Sequence, residues 1–150
     1  MISAAASLGA GCGGSSDGIS VQTGTLTKAE FVKRANAVCS VVRTQFVRDF
    51  ADYYRDHTPK KVGSEKAWEE AVIEKAVVPN YGGLMIDQLS AIGAPSSEKA
   101  KVVSFLETLQ QRVHELQEDP DELTKSPYPF AKPATLAKKY GLIKCARAFS

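Results

Sequence analysis

The chain has 150 residues, 43% of them hydrophobic, with 19 Lys and Arg against 17 Asp and Glu for a formal charge of +2. All the basic residues and every acid but Asp17 follow Gly24, so that part carries only +3, scattered rather than gathered in the basic stripe of a nucleic-acid binder. It is about the commonest size for one domain with a single core, and no run approaches the roughly 20 apolar residues of a membrane span.

The N-terminus carries the first signal. Leu8-Gly9-Ala10-Gly11-Cys12 follows a short run of small apolar residues and precedes a Gly/Ser stretch from Gly13 to Gly18. This looks like a bacterial lipobox, in which signal peptidase cuts before a diacylated cysteine. Two departures accompany it: Gly9 stands where the pattern has Leu, and nothing basic precedes Lys28 to form an n-region. An open reading frame started at an internal Met accounts for the second. Ordinary signal cleavage, or a small-residue N-terminus with Cys12 as a free thiol, are the alternatives. The organisation expected is therefore a truncated signal segment at 1–11, a flexible tether at 12–25 and a helical domain at 26–150. The protein is expected outside the cytoplasm, anchored to the membrane through lipid on Cys12.

The helices follow in order. Thr27-Lys28-Ala29-Glu30 is a capping box, with Leu26 and Phe31 at staple positions. From there Phe31, Ala35, Val38, Cys39, Val42, Phe46, Phe50 and Tyr53 form one apolar stripe at helical spacing. Pro59 predicts an end near Asp56 or His57. A second segment starts at Ser64-Glu65, with Trp68, Ala71, Val72 and Lys75 as its inner face and Lys75 able to snorkel. Pro79 should interrupt it. Tyr81, Leu84, Met85, Gln88, Leu89 and Ile92 then resume the period, and Gly93-Ala94-Pro95 closes the segment. A third helix from Ser96 or Ser97 carries the heptad-like seam Val102, Leu106, Leu109, Val113, Leu116. Asp119-Pro120-Asp121-Glu122 restarts a short turn, a proline-rich loop covers Lys125 to Pro133, and a last helix runs from about Phe130 to Tyr140 with Gly141 as its cap. Strand alternation is absent. The fold class predicted is all-α, an up-and-down bundle of four to five helices with a long first one.

Leu26-Thr27-Lys28-Ala29-Glu30-Phe31, Ala35-Asn36-Ala37-Val38-Cys39, Val77-Val78-Pro79-Asn80, Ile92-Gly93-Ala94-Pro95 and Tyr140-Gly141-Leu142 before Cys145 together resemble a group of uncharacterised secreted lipoproteins of actinobacteria. The resemblance covers residues 24–146. Members of that group commonly read Ala-Asp-Ala-X-Cys, so Asn36 departs from it. The resemblance implies location, helical class and cysteine pairing, and supplies no catalytic residues.

Chemistry is sparsely signalled. With Cys12 lipidated, Cys39 and Cys145 remain as a disulfide, a metal pair or two reactive thiols. No CxxC supports redox exchange, and a zinc site would need two further ligands where only His57 and His114 stand, without ligand spacing; the disulfide is favoured. His57 ends the first helix and His114 faces Glu118 one turn on, both read as surface. Glu69-Glu70 reads as a solvated helix face. No catalytic residue, metal ligand or cofactor motif is assigned. The aromatics offer the sharper idea: Tyr53, Tyr54, Trp68, Tyr81, Tyr128 and Phe130, with Phe50, can line a groove near the bundle end, against the simpler reading that they complete the core. The function expected is a non-enzymatic envelope lipoprotein that binds a partner protein or a small apolar ligand, and no nucleic acid. An extracytoplasmic hydrolase or a purely structural surface protein are the alternatives.

Overall fold

The computed structural model describes residues 18–149, so Cys12 lies outside the described residues. Its first helix, α1 (Lys28–Asp56), begins as the capping box dictates. Thr27 Oγ1 accepts from the Glu30 N–H at 3.3 Å, and Glu30 Oε2 accepts from the Thr27 N–H at 2.9 Å. Two otherwise orphaned donors are satisfied reciprocally. Replacing Thr27 by Ala should lower unfolding stability by about 1 kcal/mol, readable in urea denaturation. The bond from the Thr27 N–H, and after it the Thr27 hydroxyl, hold the Glu30 carboxyl below its ordinary pKa. Its contribution is therefore present above the unfolded carboxylate range and fades as pH falls through the lowered value.

Along α1, Phe31, Ala35, Cys39 and Val42 are fully buried, whereas Val38, Phe46 and Phe50 are half-buried. A one-turn helix α2 (Pro59–Val62) leads to α3 (Glu65–Val72), which Ser64 caps by accepting from the Ala67 N–H at 3.1 Å.

Pro79 does not interrupt the next stretch, contrary to expectation. Residues Ile73–Met85 form a π-helix that runs directly into α4 (Ile86–Ile92). Proline clashes in an α-helix with the carbonyl four residues back, and the wider π turn moves that carbonyl away. The Asn80 side chain braces the widened turn, donating to the Ala76 carbonyl at 2.9 Å. Widening also re-registers the inner face, which is Val72, Ile73, Ala76, Val77, Asn80, Tyr81 and Met85. Lys75, expected to snorkel along that face, is exposed.

A short 3-10 turn (Ser96–Glu98) precedes α5 (Lys99–Glu118), whose seam is buried at all five expected positions together with Phe105. After α6 (Glu122–Lys125) and the proline-rich loop comes α7 (Ala131–Tyr140). Gly141, at φ 99°, ends it: the Leu142 N–H reaches the Ala137 carbonyl at 2.8 Å and the Gly141 N–H that of Lys138 at 3.1 Å. This Schellman arrangement turns Leu142 into the core. One further helix follows that the apolar periodicity does not announce, α8 (Ile143–Ala148).

The π segment and α8 pack on α1, and α5 packs on the π segment and α7, giving an all-α bundle. The packed chain begins before Leu26. Val21 is buried, and β1 (Thr23–Gly24) pairs in parallel with β2 (Ala94–Pro95), the Ala94 N–H donating to Gln22. Gly24 and Gly93 cross so closely that a Cβ on Gly24 would stand 3.0 Å from the Gly93 carbonyl oxygen, while Gly93 itself has φ 78°. Among the described residues, no helix is long and apolar enough to cross a membrane.

Candidate functional site

Cys39 and Cys145 are bonded, with Cα atoms 4.8 Å apart and both residues fully buried. The bond joins Cys39, about three turns into α1, to the centre of α8. Asn36, one turn earlier, supports the same junction: its Oδ1 accepts from the Lys144 N–H at 2.7 Å and its Nδ2 donates to the Gly141 carbonyl at 3.4 Å. An aspartate there could accept the first bond but not donate the second.

The disulfide holds α8 where its last turn can complete an aromatic cluster. Tyr81, on the π segment, is buried; Phe46 stacks on it with ring centroids 4.8 Å apart, and Phe130 and Phe149 meet it edge-on at 5.2 and 5.3 Å. The Tyr81 hydroxyl donates to the Ala148 carbonyl at 2.6 Å. Burial pushes that hydroxyl's pKa well above its ordinary value, Arg43 opposing slightly.

Beside this cluster opens a cleft of about 310 Å³, within the roughly 300–1,000 Å³ typical of small-ligand sites. Phe46, Phe50, Trp68, Tyr81, Phe130 and Phe149 supply its aromatic surface, and Leu123, Thr124, Pro127 and Pro129 close one side. The proline-rich wall is held from behind, since Arg112 Nε donates to the Pro129 carbonyl at 2.6 Å and its Nη2 lies 3.6 Å from Glu122. Trp68 is half-buried, edge-on to Phe50 at 6.2 Å, and its indole N–H is shielded from solvent without a hydrogen-bond partner. A polar hydrogen left unpaired in an apolar wall is costly, and a bound acceptor relieves that cost.

Of the six groove residues nominated by sequence, Trp68, Tyr81 and Phe130 are brought together. Tyr53, Tyr54 and Tyr128 are not among the cleft's walls. Tyr53 stacks flat on His57 at 4.5 Å, because both lie on the outer side of the last turn of α1. Tyr54 is exposed and meets Trp68 from outside at 6.0 Å. Tyr128 is 65% exposed and lines a separate recess of about 250 Å³ with Arg112 and Lys132. The Tyr81 hydroxyl is committed to the Ala148 carbonyl, so this residue offers the cleft its ring alone.

Sequence reasoning missed Phe149, which needed α8 to be recognised, and passed over Phe46 although it stands one turn before Phe50. It also placed Glu69 in solvent. Glu70 is exposed, but Glu69 is only 2% exposed and accepts from the Thr124 hydroxyl. The α6 segment folds over this side of α3, which local periodicity cannot foresee. His114 pairs with Glu118 at 3.4 Å on the surface. Among the described residues no group of three or more His, Cys, Asp or Glu side chains converges as metal ligands would. Comparison with models of known families, with curated proteins and with solved structures gives no match.

Proposed function

We propose that this is a non-enzymatic lipoprotein of the cell envelope, anchored through Cys12, whose helical domain binds a small apolar ligand carrying one hydrogen-bond acceptor. The observation that carries the binding assignment is the aromatic cleft with the unpartnered Trp68 indole N–H in its wall. An apolar body would bury against Phe46, Phe50 and Phe130 while its acceptor received a hydrogen bond from the indole N–H. The wall is preorganised, so little ordering cost accompanies binding. The histidines do not favour a hydrolase: His57 stacks on Tyr53 and His114 pairs at the surface. The extracytoplasmic location rests on the lipobox-like segment, the Gly/Ser stretch, a fully buried disulfide and the resemblance to actinobacterial lipoproteins.

Trp68 is the only tryptophan, which makes the binding assignment cheap to test. Titration with a series of aryl ketones should change its emission saturably, and Phe50→Ala should weaken binding about tenfold by removing an aromatic wall. A flat titration to millimolar ligand across the series overturns the assignment. For the anchor, a gene extended upstream should incorporate a clickable fatty acid that Cys12→Ser does not. Wild-type protein released unlabelled into the medium defeats it.

A further inference from the structure

About five turns from the Trp68 cleft along α1, roughly 27 Å, a second groove of about 430 Å³ lies where the start of α1, the first half of α5 and the end of α7 meet. Its chemistry is different. Leu136, Ala100 and the ring of Tyr140 give it an apolar surface, and Lys28, Lys101 and Lys139 surround that surface with three ammonium groups. Glu98 answers part of this charge, standing 3.7 Å from Lys28 and 3.3 Å from Lys101. The balance over these four groups is still +2. Lys139 has no hydrogen bond or ion pair among the described residues. Its place in the last turn of α7 suits the helix dipole, but that accounts for a cation anywhere on the turn and not for its position on the groove.

Tyr140 adds the second, independent observation. It is only 7% exposed, packed edge-on to Phe31 at 5.9 Å with Lys28 Nζ 4.8 Å above its ring. Its hydroxyl is shielded from solvent and has no hydrogen-bond partner. Buried hydroxyls are normally satisfied, so an orphan on a residue that lines this groove, with Lys28 over its ring, leaves a donor in want of an acceptor. Burial, with the charge of Glu98 adding to it, pushes the Tyr140 pKa up to about 12, which keeps the group a donor at neutral pH.

We propose that this groove binds a monomeric anionic amphiphile, with its chain along Leu136, Ala100 and the Tyr140 ring and its phosphate or carboxylate head held by Lys139, Lys101 and the Tyr140 hydroxyl. Charge complementarity selects the head, and the apolar floor selects a chain over a bare anion. The site is separate from the Trp68 cleft and stands or falls independently of it.

The test is calorimetric titration of the full chain with dodecyl phosphate below its micelle concentration, beside inorganic phosphate and dodecanol, each run with a saturating aryl ketone present so that the Trp68 cleft is occupied. Dodecyl phosphate should bind with one-to-one stoichiometry and at least about tenfold more tightly than either control, the scale of one charge-assisted hydrogen bond. The double variant Lys101→Gln, Lys139→Gln should lose about tenfold in affinity with an unchanged melting temperature, because both side chains are surface groups. Tyr140→Phe is the sharper variant: it removes a hydroxyl that makes no bond in the free protein, so affinity should fall while stability holds or rises. Equal binding of dodecanol, equal binding of inorganic phosphate, or an unaltered affinity in Tyr140→Phe would each overturn the proposal. So would sedimentation with phosphatidylglycerol vesicles in the absence of any binding to the monomer, which would transfer the lysines to a bilayer surface.

Discussion

Loss of the Cys39–Cys145 bond should lower the melting temperature by about 10 °C or more. The bond closes a loop with a sequence separation of 106 residues, and for a loop of that size the chain-entropy model gives about 4–5 kcal/mol. Native disulfides of small exported domains more often prove to be worth about 2–5 kcal/mol when removed. For a domain of this length each kcal/mol moves the midpoint by a few degrees, roughly 2–8 °C. Both sulfurs are buried, so a mild reductant should act slowly on the folded protein and the paired Cys39→Ser, Cys145→Ser variant is the cleaner comparison. Calorimetric melts of that variant against the oxidised wild type decide the matter. A midpoint shift of under 2 °C would mean that α8 is held by packing and by Asn36 alone.

Truncation of Tyr81 should be nearly as damaging. The ring is 2% exposed and contacts Phe46, Phe130 and Phe149, so Tyr81→Ala should cost about 3–5 kcal/mol, as aromatic truncations in cores do. Tyr81→Phe keeps the ring but leaves the buried Ala148 carbonyl without its donor, for a cost of about 1–3 kcal/mol. Urea denaturation of the two variants separates packing from hydrogen bonding. The hydroxyl also has a pH signature. Because burial raises its pKa in the folded state, its contribution is complete below the ordinary tyrosine value of about 10 and is lost as pH rises beyond it. Wild type should therefore lose stability above pH 10 more steeply than Tyr81→Phe. Identical alkaline profiles would show that Tyr81 does not carry this dependence, leaving Tyr140 as the other buried phenol.

Local chemistry explains which parts of this fold are readable in sequence. Thr27 and Glu30 lie three residues apart and decide the start of α1 between themselves, and Gly141 ends α7 through bonds that reach back only five residues. The seam from Val102 to Leu116 is a single period on a single face. What escapes is whatever depends on a distant partner. Glu69 is buried because Thr124 arrives over it, fifty-five residues later in sequence. The widened turn around Pro79 is braced by Asn80, whose side chain reaches Asp49 on α1 at 2.9 Å, thirty-one residues earlier. At the candidate cleft the same division holds. Trp68 and Phe130 are recognisable as aromatics near loops, but nothing in their spacing reveals that Phe149 completes the cluster, or that Tyr53 turns outward onto His57.

The position of the two bonded cysteines has a consequence in time. A chain that emerges from its N-terminus presents Cys39 well before Cys145, from which it is separated by 106 positions. Until Cys145 follows, α1 carries an open thiol on the face it must bury, and Cys12 precedes it in this sequence. An acyl chain on Cys12 would remove that competitor before the proper partner exists. Modification of Cys12 would then also govern which sulfur the first helix meets.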